Sequence, residues 1–245
     1  MKTIGIIGGS GFYNYPELGE TNVISVDTAY GKVNAIAEAS LNGNKILFLP
    51  RHGEGHKTPP HKVNYRANIE ALHQLGATHV LAFNVVGGIG EKCAPGTMVV
   101  PDQIIDYTYG REHTFFDGFE NELAHIDFGE PFSEEIRQAL IKTLSGSEFE
   151  YLNQGTYGCT QGPRLESAAE IRKLRNDGCD LVGMTLMPEA ALAREKGLQY
   201  ASLCFVANWG AGMENEKVLI DNILALLNSF VPKIREIILK TTRFL

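Results

Sequence analysis

Short apolar segments that favour β-strands alternate along this chain with segments of helical periodicity, and this alternation constrains the fold more than any other feature. The predicted strands are Ile4–Ile7, Lys45–Leu49, Val80–Val86, Met98–Ile105, Asp180–Gly183 and Tyr200–Ala207. The predicted helices are Asn64–Leu75, Ser133–Leu144, Ser167–Asn176, Pro188–Lys196 and Glu216–Leu239. Val23–Val26 and Val33–Ala37 are expected to form an antiparallel pair. The pattern predicts an α/β fold in which a mixed sheet is flanked by helices.

The composition restricts the class of protein. The chain has 245 residues, 44% hydrophobic and 21% charged, which suits one globular domain over residues 1–245. A net charge of −7 argues against nucleic-acid binding, since that needs a basic face. No apolar run approaches the roughly 20 residues of a membrane span, and Met1–Gly8 is too short and glycine-broken for a signal segment. The four cysteines show no CxxC spacing, and we expect reduced thiols in a cytoplasmic protein.

The first predicted strand runs into a glycine-rich turn, Gly8-Gly9-Ser10-Gly11. Backbone N–H groups in such a turn can bind an anion, and the Ser10 hydroxyl would add a donor. A dinucleotide fingerprint is excluded because its third glycine would fall at position 14, which is Asn14. A plain tight turn remains an alternative for this segment alone.

The strand Lys45–Leu49 is followed by Pro50-Arg51-His52. Open α/β sheets bind their ligands at the carboxyl ends of strands, and the planar fork of Arg51 matches phosphate oxygens. His52 can supply a further donor. Taken alone, a surface arginine and a capping histidine would explain the same residues.

Other polar residues also stand at the ends of predicted elements. Asn84 lies inside an apolar strand and needs a partner if it is buried. Glu166 and Thr185 each bring a polar group to the end of an element, although Glu166 could be an exposed carboxylate at a helix start. Asn208 ends the last strand, where it could be a turn residue.

Two common chemistries lack their sequence signals. The chain has seven histidines, but it has no HExxH motif and no Cys/His cluster, so we expect no metal site. The GxSxG turn of Ser/His/Asp hydrolases is also missing, and Gly8–Gly11 has the wrong spacing for it.

Taken together, the motifs resemble the trimeric purine nucleoside phosphorylase and methylthioadenosine phosphorylase family. The matching stretches, in family order, are Gly5–Tyr13, Pro50–Gly53, Val63–Asn68, Asn84–Gly88, Gly162–Glu166, Gly183–Pro188 and Phe205–Asn208. The resemblance implies a single-domain nucleoside phosphorylase fold and a homotrimer with sites near subunit interfaces. It also implies that inorganic phosphate is a substrate and that no metal or organic cofactor is used.

The resemblance assigns roles residue by residue. The residues expected around phosphate are Ser10, Arg51, His52, Asn84, Val85 and Thr185. The residues expected around the nucleoside are His125, Leu165, Glu166, Met184, Asn208, Trp209 and Gly210. Within this set, Glu166 and Asn208 face the purine and carry the catalytic contacts, and Met184 lies against the ribose. Leu165 takes a position that is often phenylalanine in the family, and His125 resembles a histidine that the neighbouring subunit lends to the 5′ end.

The residues expected to face the base predict which purine is preferred. Adenine-type family members place aspartates where this chain has Asn208-Trp209-Gly210. An asparagine can donate to a 6-oxo group, and the Glu166 carboxylate can accept from N1–H of a 6-oxopurine. We therefore expect hypoxanthine or guanine to be preferred over adenine.

The 5′ end of the nucleoside completes the expected substrate. Related 6-oxopurine phosphorylases use a histidine after the asparagine to bind the 5′-hydroxyl, whereas this chain has no histidine beyond His125 and an apolar segment at Val218–Ile220. That segment suits a methylthio group, so the expected substrate is 5′-methylthioinosine. The alternatives are a methylthioadenosine phosphorylase, a general inosine/guanosine phosphorylase, a nucleoside hydrolase and a non-catalytic nucleoside-binding protein.

Overall fold

The fold is described from a computed structural model, which covers residues 1–12, 15–53, 55, 57–118, 125–213 and 220–245, without the side chains of 220–222 and 224. The strands of this part are β1 Thr3–Gly8, β2 Asn22–Thr28, β3 Gly31–Leu41, β4 Asn44–Pro50, β5 His79–Gly88, β6 Met98–Val99, β7 Gln103–Asp106, β8 Tyr151–Leu152, β9 Thr156–Cys159, β10 Leu181–Gly183 and β11 Gln199–Trp209. The α-helices are α1 Tyr65–Gln74, α2 Glu134–Ser145, α3 Ala168–Asn176, α4 Leu186–Glu195 and α5 Ile220–Thr241. The architecture confirms the predicted α/β fold.

The strands form one mixed sheet in the order β2-β3-β4-β1-β5-β10-β9-β7. Outside this order, β11 pairs with β5, β6 pairs with β11, and β8 pairs with β6. β1 lies parallel between β4 and β5, and β2 and β3 form the predicted antiparallel pair. Strand β5 is shared by both parts of the sheet. Its first residues, His79–Ala82, pair with β1, its last two pair with β10, and its whole length pairs with β11.

Helices cover the sheet and complete the core. α1 contacts α4, α2 contacts α5, and α2, α4 and α5 pack against β11. Ile4, Ile6 and Ile7 of β1 are fully buried, as expected for an apolar strand with both faces covered. Ser167 begins α3 as predicted, since its side chain accepts from Glu170 N–H at 3.2 Å and its own N–H donates to the Glu170 carboxylate at 2.7 Å. Within the part of the chain described, no helix is long and apolar enough to cross a membrane.

The prediction of one strand over Met98–Ile105 is wrong, because two short strands, β6 and β7, occupy this stretch. Pro101 lies between them, and its missing N–H cannot take part in a β ladder. The two pieces also pair with different partners, β6 with β11 and β8, and β7 with β9. The short strands β8 and β9 were not predicted. The predicted start of the last helix, at Glu216, lies outside the described residues.

Candidate active site

The segments that end β1, β4, β5, β10 and β11 line one cavity of about 1080 Å³. Because these strand ends meet at one side of the sheet, residues far apart in sequence come together there. The predicted site residues that line the cavity are Ser10, Arg51, His52, Asn84, Val85, Leu165, Glu166, Met184, Thr185, Asn208 and Gly210. The cavity is large enough for a nucleoside together with phosphate.

Two predicted site residues do not line this cavity. Trp209 is half-buried, and its carbonyl oxygen accepts a hydrogen bond from Asn208 Nδ2 at 2.7 Å. His125 is exposed on the single chain. The segment Val218–Ile220, predicted to lie near the 5′ group, is outside the residues whose side chains are described.

The glycine-rich turn after β1 approaches its neighbours too closely for any side chain at Gly9. A Cβ atom there would lie 2.6 Å from the Phe83 carbonyl oxygen and 3.1 Å from Arg51 Nη1. The Arg51 N–H also donates to the Gly8 carbonyl oxygen at 2.9 Å. Glycine is therefore required for packing at this turn, and the packing places half-buried Ser10 beside Arg51 at the cavity wall.

Arg51 is buried and paired with Glu189, a residue that the sequence analysis did not single out. Arg51 Nε and Nη2 donate to the two Glu189 carboxylate oxygens at 2.6 and 2.7 Å, and Nη1 donates to the Phe83 carbonyl oxygen at 3.0 Å. Tyr200 Oη donates to the same carboxylate at 2.7 Å. Three of the five N–H groups of the guanidinium are thus engaged by the protein, and two remain.

The charges of this pair stabilise one another. Burial alone would lower the pKa of Arg51, but the charge and hydrogen bonds of Glu189 outweigh burial and raise that pKa above its ordinary value. Burial raises the pKa of Tyr200, so its hydroxyl keeps its proton and remains a donor to Glu189. The pair carries no net charge, and it presents a rigid donor group rather than a free cation to the cavity.

Asn84 has the partners that its burial requires. Its Nδ2 donates to Ser202 Oγ at 2.8 Å, and its Oδ1 accepts from Thr185 Oγ1 at 2.6 Å. Ser202 is fully buried, whereas Thr185 reaches the cavity. This hydrogen-bonded chain fixes the Thr185 hydroxyl in the wall of the cavity that Arg51 also lines.

The cavity wall also contains the residues predicted to face a base. Glu166 is half-buried, and it accepts from Thr160 Oγ1 at 2.6 Å. Leu165 beside it is 43% exposed. Asn208 follows an irregularity in the pairing of β11 with β5, where Val206 pairs with Val86 and Asn208 pairs with Gly87. The additional residue turns the Asn208 side chain toward the cavity, as a β-bulge does.

Several residues that hold the cavity wall were not predicted from the sequence. Glu189 gave a signal, because it is a lone carboxylate in the apolar first half of α4 and so requires a buried partner. Arg111 gave no signal in the sequence, because its segment has neither helical nor strand periodicity. The structure places Arg111 Nη1 within 2.9 Å of the Met184 carbonyl oxygen, and its Nη2 within 2.9 Å of the Gln161 carbonyl oxygen. Lys57 also lines the cavity and forms no ion pair within the part of the chain that the structure describes.

Metal ligands are not grouped in this part of the protein. Among the described residues, no cluster of three or more His, Cys, Asp or Glu side chains could hold a metal ion. The four cysteines are free and buried, and burial raises the pKa of Cys159 and of Cys204 to about 12. These thiols are therefore protonated at neutral pH.

The fold is that of a known class. The chain belongs to the phosphorylase superfamily, whose family model matches residues 3–243. It is 48% identical over 247 residues to a probable S-methyl-5′-thioinosine phosphorylase of Xylella fastidiosa strain Temecula1, covering 99% of this chain and 100% of that protein. It is 44% identical to the 6-oxopurine nucleoside phosphorylase of Pyrococcus furiosus, with 98% and 91% coverage.

A solved structure has the same fold. The methylthioadenosine phosphorylase of Schistosoma mansoni in complex with adenine superposes with a TM-score of 0.92 at 36% identity, covering 98% of this chain and 91% of that one. The relatives therefore include enzymes named for 6-oxo and for 6-amino purines, so the choice of base must be argued from the site itself.

Proposed function

We propose that this enzyme cleaves S-methyl-5′-thioinosine with inorganic phosphate, giving hypoxanthine and 5-methylthioribose 1-phosphate. The observation that carries the proposal is that Asn208, a donor, and Glu166, an acceptor, line the same cavity as Gly210, which adds no second carboxylate. The names of the Xylella and Pyrococcus relatives agree with a 6-oxopurine, and the Xylella name agrees with a methylthio group.

The reaction exchanges one bond at the anomeric carbon for another. A phosphate oxygen forms a bond to C1′ as the bond from C1′ to N9 breaks, and the electron pair of that bond leaves with the purine. Positive charge develops on the sugar and negative charge on the base, and the base finally takes up the proton that the hydrogen phosphate releases, directly or through water. Catalysis therefore requires that phosphate be held beside C1′ and that the departing base be stabilised.

In our proposal phosphate binds at the Arg51 end of the cavity. The donors there would be the Ser10 hydroxyl, the remaining Arg51 N–H groups and His52, and the wall beside them would be formed by Asn84, Val85 and Thr185. Met184 would lie against the ribose, and Leu165 would cover the base with an aliphatic surface. Since phosphate is the nucleophile, the protein supplies positioning and hydrogen bonds rather than a nucleophile of its own.

The base contacts distinguish oxo from amino purines. Asn208 can donate to N7 or O6 as charge builds there, and a Glu166 carboxylate can accept from N1–H. A 6-aminopurine has no N1–H, so the carboxylate would face a lone pair. A mismatch of this kind costs on the order of 1–3 kcal/mol, more where a charge is involved.

We further propose that the active species is a homotrimer. His125 is exposed and does not line the cavity of its own chain, which agrees with a role in a neighbouring subunit's site. Light scattering at assay concentration should give a trimer, and His125→Ala should raise the KM for the nucleoside. A fully active monomer would rule this assembly out.

We also propose that the enzyme is cytoplasmic, acts without a metal or an organic cofactor, and binds no nucleic acid. The buried, protonated thiols suit a reducing compartment, and the chemistry above needs only phosphate and nucleoside. Activity after exhaustive chelation should equal that of the untreated enzyme.

Parallel assays test the function directly. Methylthioinosine, methylthioadenosine and inosine are each supplied with phosphate, and kcat/KM is compared. We expect methylthioinosine to be the best substrate; a preference for either of the others identifies the corresponding phosphorylase instead. Product formation in phosphate-free buffer would indicate a hydrolase, and ligand binding without turnover would indicate a non-catalytic binding protein.

A further inference from the structure

We propose that Thr160 is a positioning residue for base selection, because it holds the Glu166 carboxylate in the orientation that accepts from the N1–H of a 6-oxopurine. This inference rests on the proposed function. Thr160 follows β9 directly and lies beside a second, smaller cavity of about 290 Å³, not in the wall of the large one. It therefore acts on the substrate through Glu166.

The backbone of Thr160 is fixed on both sides. Its N–H donates to the Gly183 carbonyl oxygen at 2.8 Å, which extends the pairing of β9 with β10. Its carbonyl oxygen accepts from Arg111 Nη2 at 3.2 Å. Arg111 is itself buried and bonded to several further carbonyl groups, so the position of the Thr160 side chain is set by the framework of the site.

The hydroxyl of Thr160 has one hydrogen and two possible acceptors. Glu166 Oε1 lies 2.6 Å from Thr160 Oγ1, whereas the Gly183 carbonyl oxygen lies 3.3 Å from it. The shorter contact is in the range of a hydrogen bond to a charged acceptor, so the Thr160 hydroxyl donates its hydrogen bond to Glu166. One carboxylate oxygen is thereby engaged, and the other has no hydrogen-bond partner within the described chain.

This arrangement favours one class of base. The hydrogen bond from Thr160 holds Glu166 Oε1, which leaves Oε2 as the oxygen that can accept from a base in the large cavity. This oxygen would accept from N1–H of a 6-oxopurine. N1 of a 6-aminopurine has a lone pair and no hydrogen, so it offers the same oxygen nothing to accept. Thr160 thus adds to the oxo preference without touching the base.

Removal of the hydroxyl tests the inference. Thr160→Val keeps the shape of the side chain, and Thr160→Ser keeps the hydroxyl. We expect Thr160→Val to lower kcat/KM for methylthioinosine about tenfold, the effect of one lost charge-assisted hydrogen bond, and to affect methylthioadenosine less. The ratio of the two values should fall, and Thr160→Ser should restore it to within about twofold of wild type.

Controls separate this role from a general loss of structure. Thr143→Val removes another buried threonine hydroxyl, one that bonds Ala139 within α2, and should leave the ratio unchanged. Thermal melts establish that each variant is folded, and Thr160→Ala serves as a second variant without the hydroxyl.

Failure of the inference is distinguishable from failure of the proposed function. A wild type that prefers methylthioinosine, with the same ratio in folded Thr160→Val, overturns the role of Thr160 alone. A wild type that prefers methylthioadenosine overturns the proposed substrate, and this role with it, before any variant is measured.

Discussion

At the end of the cavity that we assign to phosphate, Arg51, Asn84 and Thr185 are each less than a tenth exposed, whereas at the base end Leu165 is 43% exposed and Asn208 is half-buried. The polar groups of the first end are bonded to fully buried partners, Glu189 and Ser202. The groups of the second end are held by single hydrogen bonds, as between Glu166 and Thr160.

This difference relates to what each end must bind. Phosphate is always tetrahedral and negatively charged, so a rigid set of donors built into the core can be prepared for it in advance. Purines differ at one or two atoms, and a few changeable contacts at the surface suffice to distinguish them. Substitutions at the phosphate end should therefore affect stability together with phosphate binding, and those at the base end should affect selectivity alone.

The largest effect is expected at Arg51. Arg51→Ala should raise the KM for phosphate on the order of 100-fold, through two lost charge-assisted hydrogen bonds, and the KM for nucleoside far less. It should also lower the free energy of unfolding by roughly 3–5 kcal/mol, because buried Glu189 would lose its partner. Steady-state kinetics and chemical denaturation measure the two effects.

A double variant separates the two consequences. Arg51→Met with Glu189→Gln removes both charges and keeps an acceptor for the Tyr200 hydroxyl. Part of the stability should return while phosphate binding stays weak. An unchanged KM for phosphate in Arg51→Ala would contradict the assignment of this end.

A smaller effect, confined to selectivity, is expected at Asn208. Asn208→Asp places a negative charge beside O6 and removes the donor to N7. The ratio of kcat/KM for methylthioinosine to that for methylthioadenosine should fall roughly 30-fold, with little change in melting temperature. Gly210 supplies no second carboxylate, so a complete switch to adenine is not expected. Asn153→Asp, on the exposed surface, is the matched control, and an unchanged ratio would refute the base contact.

A smaller effect on phosphate binding is expected at Ser202, which does not line the cavity. Ser202→Ala removes the acceptor for Asn84 Nδ2 and loosens the chain that holds Thr185. The KM for phosphate should rise about fivefold, corresponding to roughly 1 kcal/mol, while the nucleoside KM is unchanged. Ser133→Ala, at another buried serine, should change neither constant. Equal effects on both constants would mean that the two ends are not independent.

The smallest effect is expected at Lys57, an exposed cation at the cavity rim. Because Glu189 neutralises Arg51, Lys57 contributes positive charge that attracts phosphate over a distance. Lys57→Gln should raise the KM for phosphate about two- to threefold in low salt and less in high salt, where exposed charges are screened. Lys62→Gln, five residues further on and outside the cavity, should have no effect. Salt-independent loss would show a direct contact instead.

The sequence predicted the elements whose signal is local. The apolar runs of β1, β4, β5 and β11 and the capping residue Ser167 could be read from neighbouring positions, and so could the glycine turn after β1. The break at Pro101 is also present in the sequence, but the apolar residues on both sides of it favour one continuous strand. The strands β8 and β9 are too short for periodicity to reveal.

Long-range pairing in the site could not be predicted in this way. Glu189 lies 138 residues from Arg51, and Thr185 lies 101 residues from Asn84. No spacing rule connects such positions, since only the topology of the sheet brings them together. Thus the motifs identified which residues gather at the cavity, while the hydrogen bonds that orient them required the structure.

The shared strand β5 has a consequence for the size of substrate that the cavity admits. Asn84 stands on it at the phosphate end and Gly87 stands on it at the base end, opposite Asn208. Three residues of strand span about 10 Å, so the separation of the two ends is set by covalent geometry. A deletion of one residue would shorten this span by about 3.3 Å and turn the following side chains to the other face of the sheet. New nucleosides can therefore be accommodated by changing side chains around β5, whereas the length of β5 between these positions has to stay constant.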